Sequence, residues 1–468
     1  LEALARAPEG AFEAESRLYV IRIKLLQSIA KFDEARDEAL RVIAMYEDTP
    51  DTPEKHRLLA ECHLNLGYIG IYTCLYTGEY DYTADFEAGY RHFVLGGKAP
   101  FGPRERTLVA SYVCRVGYPS APGTMERANR AFEQYAHFAE KAKNGMFGGM
   151  AALAECEAAY FKADIGNAEK LANIALIKAR ETEQFQVEHR ALMFLLRINI
   201  HLANPAKLRE LTRRLTDMLG NEEFLNRNTL HDIAMGWFYA QTRQTRLVPE
   251  WLKSEFEQSD LNSLSFGLEI LVRAKYFLVE KRYHTVLATL ENSGGEYGPE
   301  AFMIGRLEVA AMRAVCLYHV GEKSAAMDTL REAYEISAGD KLDMPFIELG
   351  RDMRTLAAVA QKSGRRDIPQ KWLGMIQKKS STYAKKLGHI ISDIRERSGD
   401  ADETLPLTVR EKDILADICH GLSRSEIATS RGLSVNTVKA SVLIIYKKLG
   451  AQNTADAIRI AVRRGLIP

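Results

Sequence analysis

Cysteine is scarce and scattered. The six residues, Cys62, Cys74, Cys114, Cys156, Cys316 and Cys419, form no CxxC pair and no Cys/His cluster. That spacing argues against a zinc site and against a disulfide framework, so no metal is expected and a reducing, cytoplasmic location is. No run of 18 apolar residues occurs, so no membrane span is expected. The opening LEALARAPEG lacks the basic start and apolar stretch of a signal peptide. It also lacks an initiating Met, and further coding sequence is expected upstream. Net charge is nearly absent, with 63 Lys+Arg against 62 Asp+Glu. That balance hides an asymmetry: Thr404 to Pro468 holds ten Lys/Arg and five Asp/Glu, about +5, leaving about −4 to the rest. A small basic segment on a mildly acidic body suggests a localised contact with a polyanion.

Runs of alternating β-branched residues are also rare. From Phe12 to Leu387 apolar residues recur at three- and four-residue spacing, with Ala, Leu, Glu, Lys and Arg between them, which predicts helices. A phrase repeats: a small or polar turn, an Ala or aliphatic, then another a turn later. It reads AKFDEARDEAL, ADIGNAEKLANIAL, EKRYHTVLATL and VGEKSAAMDTLREA. Equivalent positions fall at Ala128, Ala168, Leu208, Val248, Val286 and Ala325, about 40 residues apart, the length of a two-helix solenoid unit. Looser copies lie around Ala35 and Ala84. Such units resemble tetratricopeptide repeats, in which small residues let two helices approach closely. Stacked hairpins curve into a superhelix whose concave face takes ligands or peptides, although an array can also serve as a plain spacer. Two aromatic groups stand out: Tyr68, Tyr72 and Tyr76 on one helical face, and Trp237 with Tyr239 in GWFYAQ. They are either inter-repeat packing or a stacking platform for a flat ligand.

Residues 397–406 are rich in Ser, Gly, Asp and Pro and read as a linker between an array over 1–396 and a small domain over 407–468. Four helices are predicted in the latter, at about Thr408 to His420, Arg424 to Ser430, one capped by Ser434, and Thr454 to Arg464, with Gly432 supplying a turn. Leu407, Ile414, Leu415 and Ile418 face inward on the first, and Ile427 and Ala428 on the second. On the third, Val438, Val442, Ile445 and Leu449 form a buried stripe, while Asn436, Lys439, Ala440 and Lys447 fall away from it. A short helix, a tight turn and a helix with a polar, basic outer face make a helix-turn-helix, whose second helix approaches bases in the major groove of double-stranded DNA. Leu443 and Ile444 sit on or near the exposed side, touching either thymine methyls or another part of the chain.

LTVREKDILADICHGLSRSEIATSRGLSVNTVKASVLIIYKKLGAQNTADAI resembles the LuxR-type DNA-binding domain of bacterial transcription regulators. The matching elements are Leu407-Thr408, Arg410-Glu411, Gly421-Leu422-Ser423, Glu426-Ile427-Ala428, Ser434, Thr437-Val438-Lys439, Lys448-Leu449-Gly450 and Ala457. The resemblance implies that Thr437 and Lys439 contact DNA, that Asn436 and Ala440 read bases, and that Arg424 and Lys447 meet phosphates. It assigns Ala457, Ile458 and Ala461 to a dimer contact, with a homodimer on half-sites about one helical turn apart. Two positions depart from the family: Ser441 stands where His is usual and Thr454 where Arg is usual, and both are phosphate or scaffold positions.

An array directly before this domain looks like the MalT-like, ATP-binding LuxR subgroup, and MPFIELGRDMRTLAAVA resembles the phrase that ends such arrays. In that subgroup an ATPase module lies upstream and an inducer binds the array. LGGKAPFG is no phosphate-binding loop, because it lacks the spacing and the hydroxyl after Lys98. No nucleophile–base pair stands out either, so neither a catalytic residue nor a cofactor is expected in this chain, and a hydrolase with the array as lid finds no support. The expected protein is all-α: a TPR-like superhelical array of two-helix repeats, then a four-helix LuxR-type domain. It regulates transcription, as an activator by the resemblance, with the array sensing a small-molecule inducer or docking a protein partner.

Overall fold

The computed structural model describes residues 6, 8, 10–28, 31–77, 82–96, 123, 125–126, 148–224, 227–254, 267–291, 299–301, 303–397, 407–419, 421–431, 433–463 and 466. Among these, every regular element is helical, as the periodicity predicts. Ala128, Gly432 and residues 398–406 of the expected linker lie outside the described residues. The chain divides into two compact units, one of Leu1–Leu195, Gly295–Ala310 and Arg331–Pro345, the other of Leu196–Gly294, Ala311–Leu330 and Phe346–Pro468.

After a single helical turn at Ala11–Ala14, the first unit runs through α1 (Arg17–Ser28), α2 (Phe32–Glu47), α3 (Pro53–Thr77) and α4 (Tyr82–Gly96), followed by α5 (Met150–Phe161) and α6 (Ile165–Glu181). Ala35, Ala39 and Val42 of α2 pack with Ile23 of α1 and with Leu66 and Ile69 of α3 in one apolar cluster. The looser copy at Ala84 is exposed; Phe86 and Ala88 enter the core in its place. Gly149, at φ 83°, starts α5 where a Cβ would stand 2.4 Å from the Ala175 carbonyl oxygen, so this crossing of α5 and α6 requires glycine.

Helix α7 (Phe185–His201) leads into the second unit, with α8 (Pro205–Asp217), α9 (Arg227–Gln241), α10 (Leu268–Val279) and α11 (Tyr283–Glu291). Then come α12 (Met303–Val320) and α13 (Lys323–Ala338), α14 (Gly350–Lys362) and the 28-residue α15 (Gln370–Arg397). Arg209 of α8 pairs with Asp393 of α15 at 2.8 Å. Gln241, ending α9, donates to the buried Tyr383 hydroxyl and, at 3.1 Å, to the Glu348 carbonyl.

The repeat is written in the turns. Ala163, Ala203, Arg243, Lys281 and Gly321 all have positive φ, between 55° and 97°, and follow one another at intervals of 40, 40, 38 and 40 residues. Each closes a helix in the same way. Asp164 N–H reaches the Ala159 carbonyl, Asn204 that of Asn199, Gln244 that of Tyr239, Arg282 that of Phe277 and Glu322 that of Leu317, all at 2.8–3.0 Å. This six-residue closure satisfies carbonyls that the helix end would otherwise leave open. Ala168, Leu208, Val248, Val286 and Ala326, each five residues beyond a turn, are buried. The last lies one residue past the expected Ala325, which is half-buried.

The C-terminal residues of the second unit form α16 (Val409–Cys419), α17 (Arg424–Arg431), α18 (Val435–Leu449) and α19 (Thr454–Arg463), within a residue or so of the expected bounds.

Candidate nucleic-acid interface

Each helix of this C-terminal domain starts at a side-chain cap. Thr408 N–H donates to Glu411 Oε2 at 2.6 Å while Glu411 N–H donates to Thr408 Oγ1 at 3.2 Å. Ser423 and Glu426 repeat the reciprocal arrangement at 2.7 and 3.3 Å. Ser434 accepts from Thr437 N–H at 3.0 Å, as expected of an N-cap, and Asn453 accepts from Asp456 N–H at 2.9 Å. Such caps fix where a helix begins, and therefore which residues its first turn presents.

Val438, Val442, Ile445 and Leu449 of α18 are buried with Leu407, Ile414, Leu415, Ile418, Ile427 and Ala428 in the domain's own core. Ala457 and Ala461 of α19, assigned by resemblance to a dimer contact, are at 0 % exposure in that same core, so neither side chain offers a surface. Ile458 is partly buried against it, and Val462, 60 % exposed, is the large apolar side chain that α19 turns outward. Charge closes the bundle. Lys448 Nζ meets Glu411 Oε2 at 2.6 Å, and Arg431 at the end of α17 pairs with Asp417, at 2.9 Å, and with Asp413, at 3.1 Å, both on α16. The bond to Asp417 holds the Arg431 guanidinium above its ordinary value. Burial pushes the Asp413 carboxyl up, against the pull of Arg431.

Apart from the exposed Val435 and Leu443, what remains outside on α18 is mostly polar and cationic. Asn436, Lys439, Ala440 and Lys447 are exposed, Thr437 and Ser441 half-buried, and Arg424 of α17 exposed. The structure thus brings Asn436, Thr437, Lys439, Ala440 and Ser441 together on the N-terminal half of one helix, its first turn capped by Ser434. A helix of this kind, 10–12 Å across, fits a major groove about 12 Å wide. Thr454, one of the two departures, is bonded through its hydroxyl to the Tyr446 hydroxyl and so ties α19 to α18.

The other departure, Ser441, sits elsewhere. It lines a cleft with Thr437, Ala440 and Ile444 of α18 on one side and Pro249, Glu250, Trp251 and Ser254 on the other, with Asp232, Thr408, Arg410 and Glu411 at its margin. All belong to the second unit. Ile444 is half-buried and faces this cleft, whereas Leu443 is 66 % exposed. Two residues that sequence reading missed, Asp232 and Trp251, organise the cleft around Arg410. Arg410 Nη1 meets Asp232 Oδ2 at 2.7 Å with both side chains buried, and the Trp251 indole N–H donates to the same oxygen at 2.8 Å. Burial alone would raise the Asp232 carboxyl, but Arg410, His231 and Trp251 together hold it below its ordinary value. Gly236 of α9 admits this geometry: a Cβ there would stand 2.6 Å from Leu252 Cδ1 and 3.5 Å from Pro249, so its absence lets the Pro249–Leu252 segment lie on α9.

Of the aromatic groups, the side chains of Tyr68, Tyr72 and Tyr76 lie outside the described residues. Trp237 is buried, with Arg197 4.5 Å and Lys275 5.4 Å from its ring centre. Tyr239 is half-buried beside Phe238. Among the described residues no group of three or more His, Cys, Asp or Glu is placed to hold a metal, and no helix is long and apolar enough to cross a membrane. The described thiols are buried or half-buried, and burial raises each of them, Cys316 to about 12.

Residues 405–461 match the family described as bacterial regulatory proteins, luxR family. The chain is 39 % identical over 61 residues to the transcriptional regulatory protein YdfI of Bacillus subtilis, covering 13 % of this chain and 29 % of that protein. It is 42 % identical over 62 residues to the transcriptional regulatory protein MctR of Rhizobium johnstonii, covering 13 % and 29 %. Against the response regulator RamR of Streptomyces coelicolor it is 29 % identical over 180 residues, 36 % of this chain and 79 % of that protein. The chain thus spans under a third of the length of the first two.

Proposed function

We propose that this chain, which carries a LuxR-type helix-turn-helix domain at its C-terminus, is a sequence-specific DNA-binding transcription regulator in which the helical array governs that domain. The carrying observation is the polar, cationic N-terminal half of α18, with Asn436, Thr437, Lys439 and Ala440 on one face and Val438, Val442, Ile445 and Leu449 committed to the core. Lys439, Lys447 and Arg424 neutralise phosphates and set register; Asn436 pairs with a base edge. Two copies of the chain occupy half-sites about 34 Å apart, with the sense of regulation, activation, following the resemblance.

The array senses a small-molecule inducer. Supporting this is the resemblance to regulators whose array binds an inducer; Trp237 itself is buried, with Arg197 and Lys275 over its ring, and serves as packing. Screening metabolites for stabilisation of the whole chain against heat tests it. A defined polypeptide that co-purifies at fixed stoichiometry, with no stabilising metabolite, assigns the array to a protein partner instead. DNA binding itself is tested by selecting fragments from a genomic pool: enrichment of a common sequence supports the reading, and recovery of random fragments overturns it.

A further inference from the structure

Part of the α18 face proposed to read DNA, Thr437, Ala440 and Ser441, lines the cleft with Pro249, Glu250, Trp251 and Ser254, while Asn436 and Lys439 stay exposed beside it. Thr437, Ala440 and Ser441 cannot line that cleft and a major groove together, because the groove admits one helix and little more. The contact is held by charges of complementary sign. Asp232 of α9 pairs with Arg410 of α16 at 2.7 Å, both buried. Trp251 braces Asp232 from the cleft wall, and Gly236 lets the segment bearing Trp251 lie close on α9.

We infer that Asp232, braced by Trp251, is a latch that grips Arg410 and holds this part of the DNA-reading face of α18 against the array, so that DNA binding requires the pair to open. This rests on the DNA-binding reading. The array surface around Asp232 offers this domain what a phosphate would, a buried anion for an arginine, beside an apolar wall of Pro249 and Trp251 for Ile444. A signal acts by weakening this grip, through any shift of α9 or of the Pro249–Leu252 segment that separates the Asp232 carboxylate from the Arg410 guanidinium. Opening returns both charges to water, which offsets much of the lost attraction, so a buried pair of this kind suits a two-state contact.

The test uses the full chain and a fluorescein-labelled genomic fragment enriched by it. Asp232→Asn keeps the shape and removes the charge; Trp251→Phe keeps the ring and removes the indole donor, and it carries the test if the first variant folds poorly. If the closed form dominates, apparent affinity is reduced by the fraction that is open. Both variants are then expected to bind the fragment roughly tenfold or more tighter than the unaltered chain, and amides of the first turns of α18 to exchange faster in the absence of DNA. Affinity and exchange equal to those of the unaltered chain, in variants that melt as it does, overturn the latch while leaving the regulator reading intact. Binding by none of the three forms overturns that reading, and the masking with it.

Discussion

Lys448 Nζ lies 2.6 Å from Glu411 Oε2, with both side chains only 9 % exposed, so the last turn of the candidate reading helix is tied to the first turn of the domain's opening helix. Glu411 also caps that opening helix through Thr408. Glu411→Gln preserves the cap but strands a buried ammonium, and is expected to cost about 3 kcal/mol. Hydrogen exchange across residues 409–449 of the whole chain reads this as lost protection, and Lys448→Met added to it restores most of the loss. Unchanged protection in the single variant would show the pair contributes nothing.

Two glycines should respond in opposite directions. Gly149→Ala puts a Cβ 2.4 Å from the Ala175 carbonyl oxygen on a backbone at φ 83°, and a loss of about 2–4 kcal/mol is expected. Gly166 lies in the first turn of α6, where an added Cβ would meet nothing within 4 Å, and as Ala it should gain up to about 0.5 kcal/mol. Urea unfolding of the two single variants measures both. Equal effects would mean the α5–α6 crossing is not as close as described.

Acid should weaken the second unit through His201. Burial, partly opposed by Glu348, lowers the ring's pKa to about 4 from 6.5, and the ring lies against Tyr383 with centres 4.4 Å apart. A histidine whose folded value is depressed binds fewer protons folded than unfolded between the two values, so stability falls as pH drops from about 6.5 to about 4, by about 3 kcal/mol at most. Melting the chain across that range should show the fall, and His201→Gln should flatten it; an identical slope in the variant would remove His201 from the account.

In the proposed reading Asn436 meets a base edge and Lys439 a phosphate. Asn436→Ala is expected to narrow the gap between the enriched fragment and a scrambled one by about 1–3 kcal/mol while leaving the salt dependence alone. Competition titrations at two salt concentrations separate the effects, and a changed salt slope with an unchanged gap would reassign Asn436 to a phosphate.

Much of the C-terminal domain is legible in its letters, because burial there follows the helical period: Val438, Val442, Ile445 and Leu449 are inside, and Ser434 caps. The repeat is legible as well, since Ala168, Leu208, Val248 and Val286 are each buried five residues beyond a left-handed turn. It slips by one residue at the end, where adjacent alanines give periodicity no way to prefer Ala326 over Ala325. What sequence does not carry is the partner of a charge. Arg410 and Asp232 stand 178 residues apart, and nothing in the spacing of either distinguishes them from neighbouring surface charges. Ala457 and Ala461 mislead for a related reason: small apolar residues on a short helix suit a core and an interface equally well. Ile444 is legible as an anomaly, and the cleft against Trp251 accounts for it.

Everything proposed for the C-terminal domain depends on α18 reading DNA. The sharpest check is the fluorescence anisotropy of an enriched fragment titrated with the whole chain over a series of salt concentrations, unaltered and with Lys439→Ala. Log affinity should fall linearly with log salt, and Lys439→Ala should weaken binding and reduce the slope by about one. An affinity indifferent to salt, or one that Lys439→Ala leaves untouched, would contradict it.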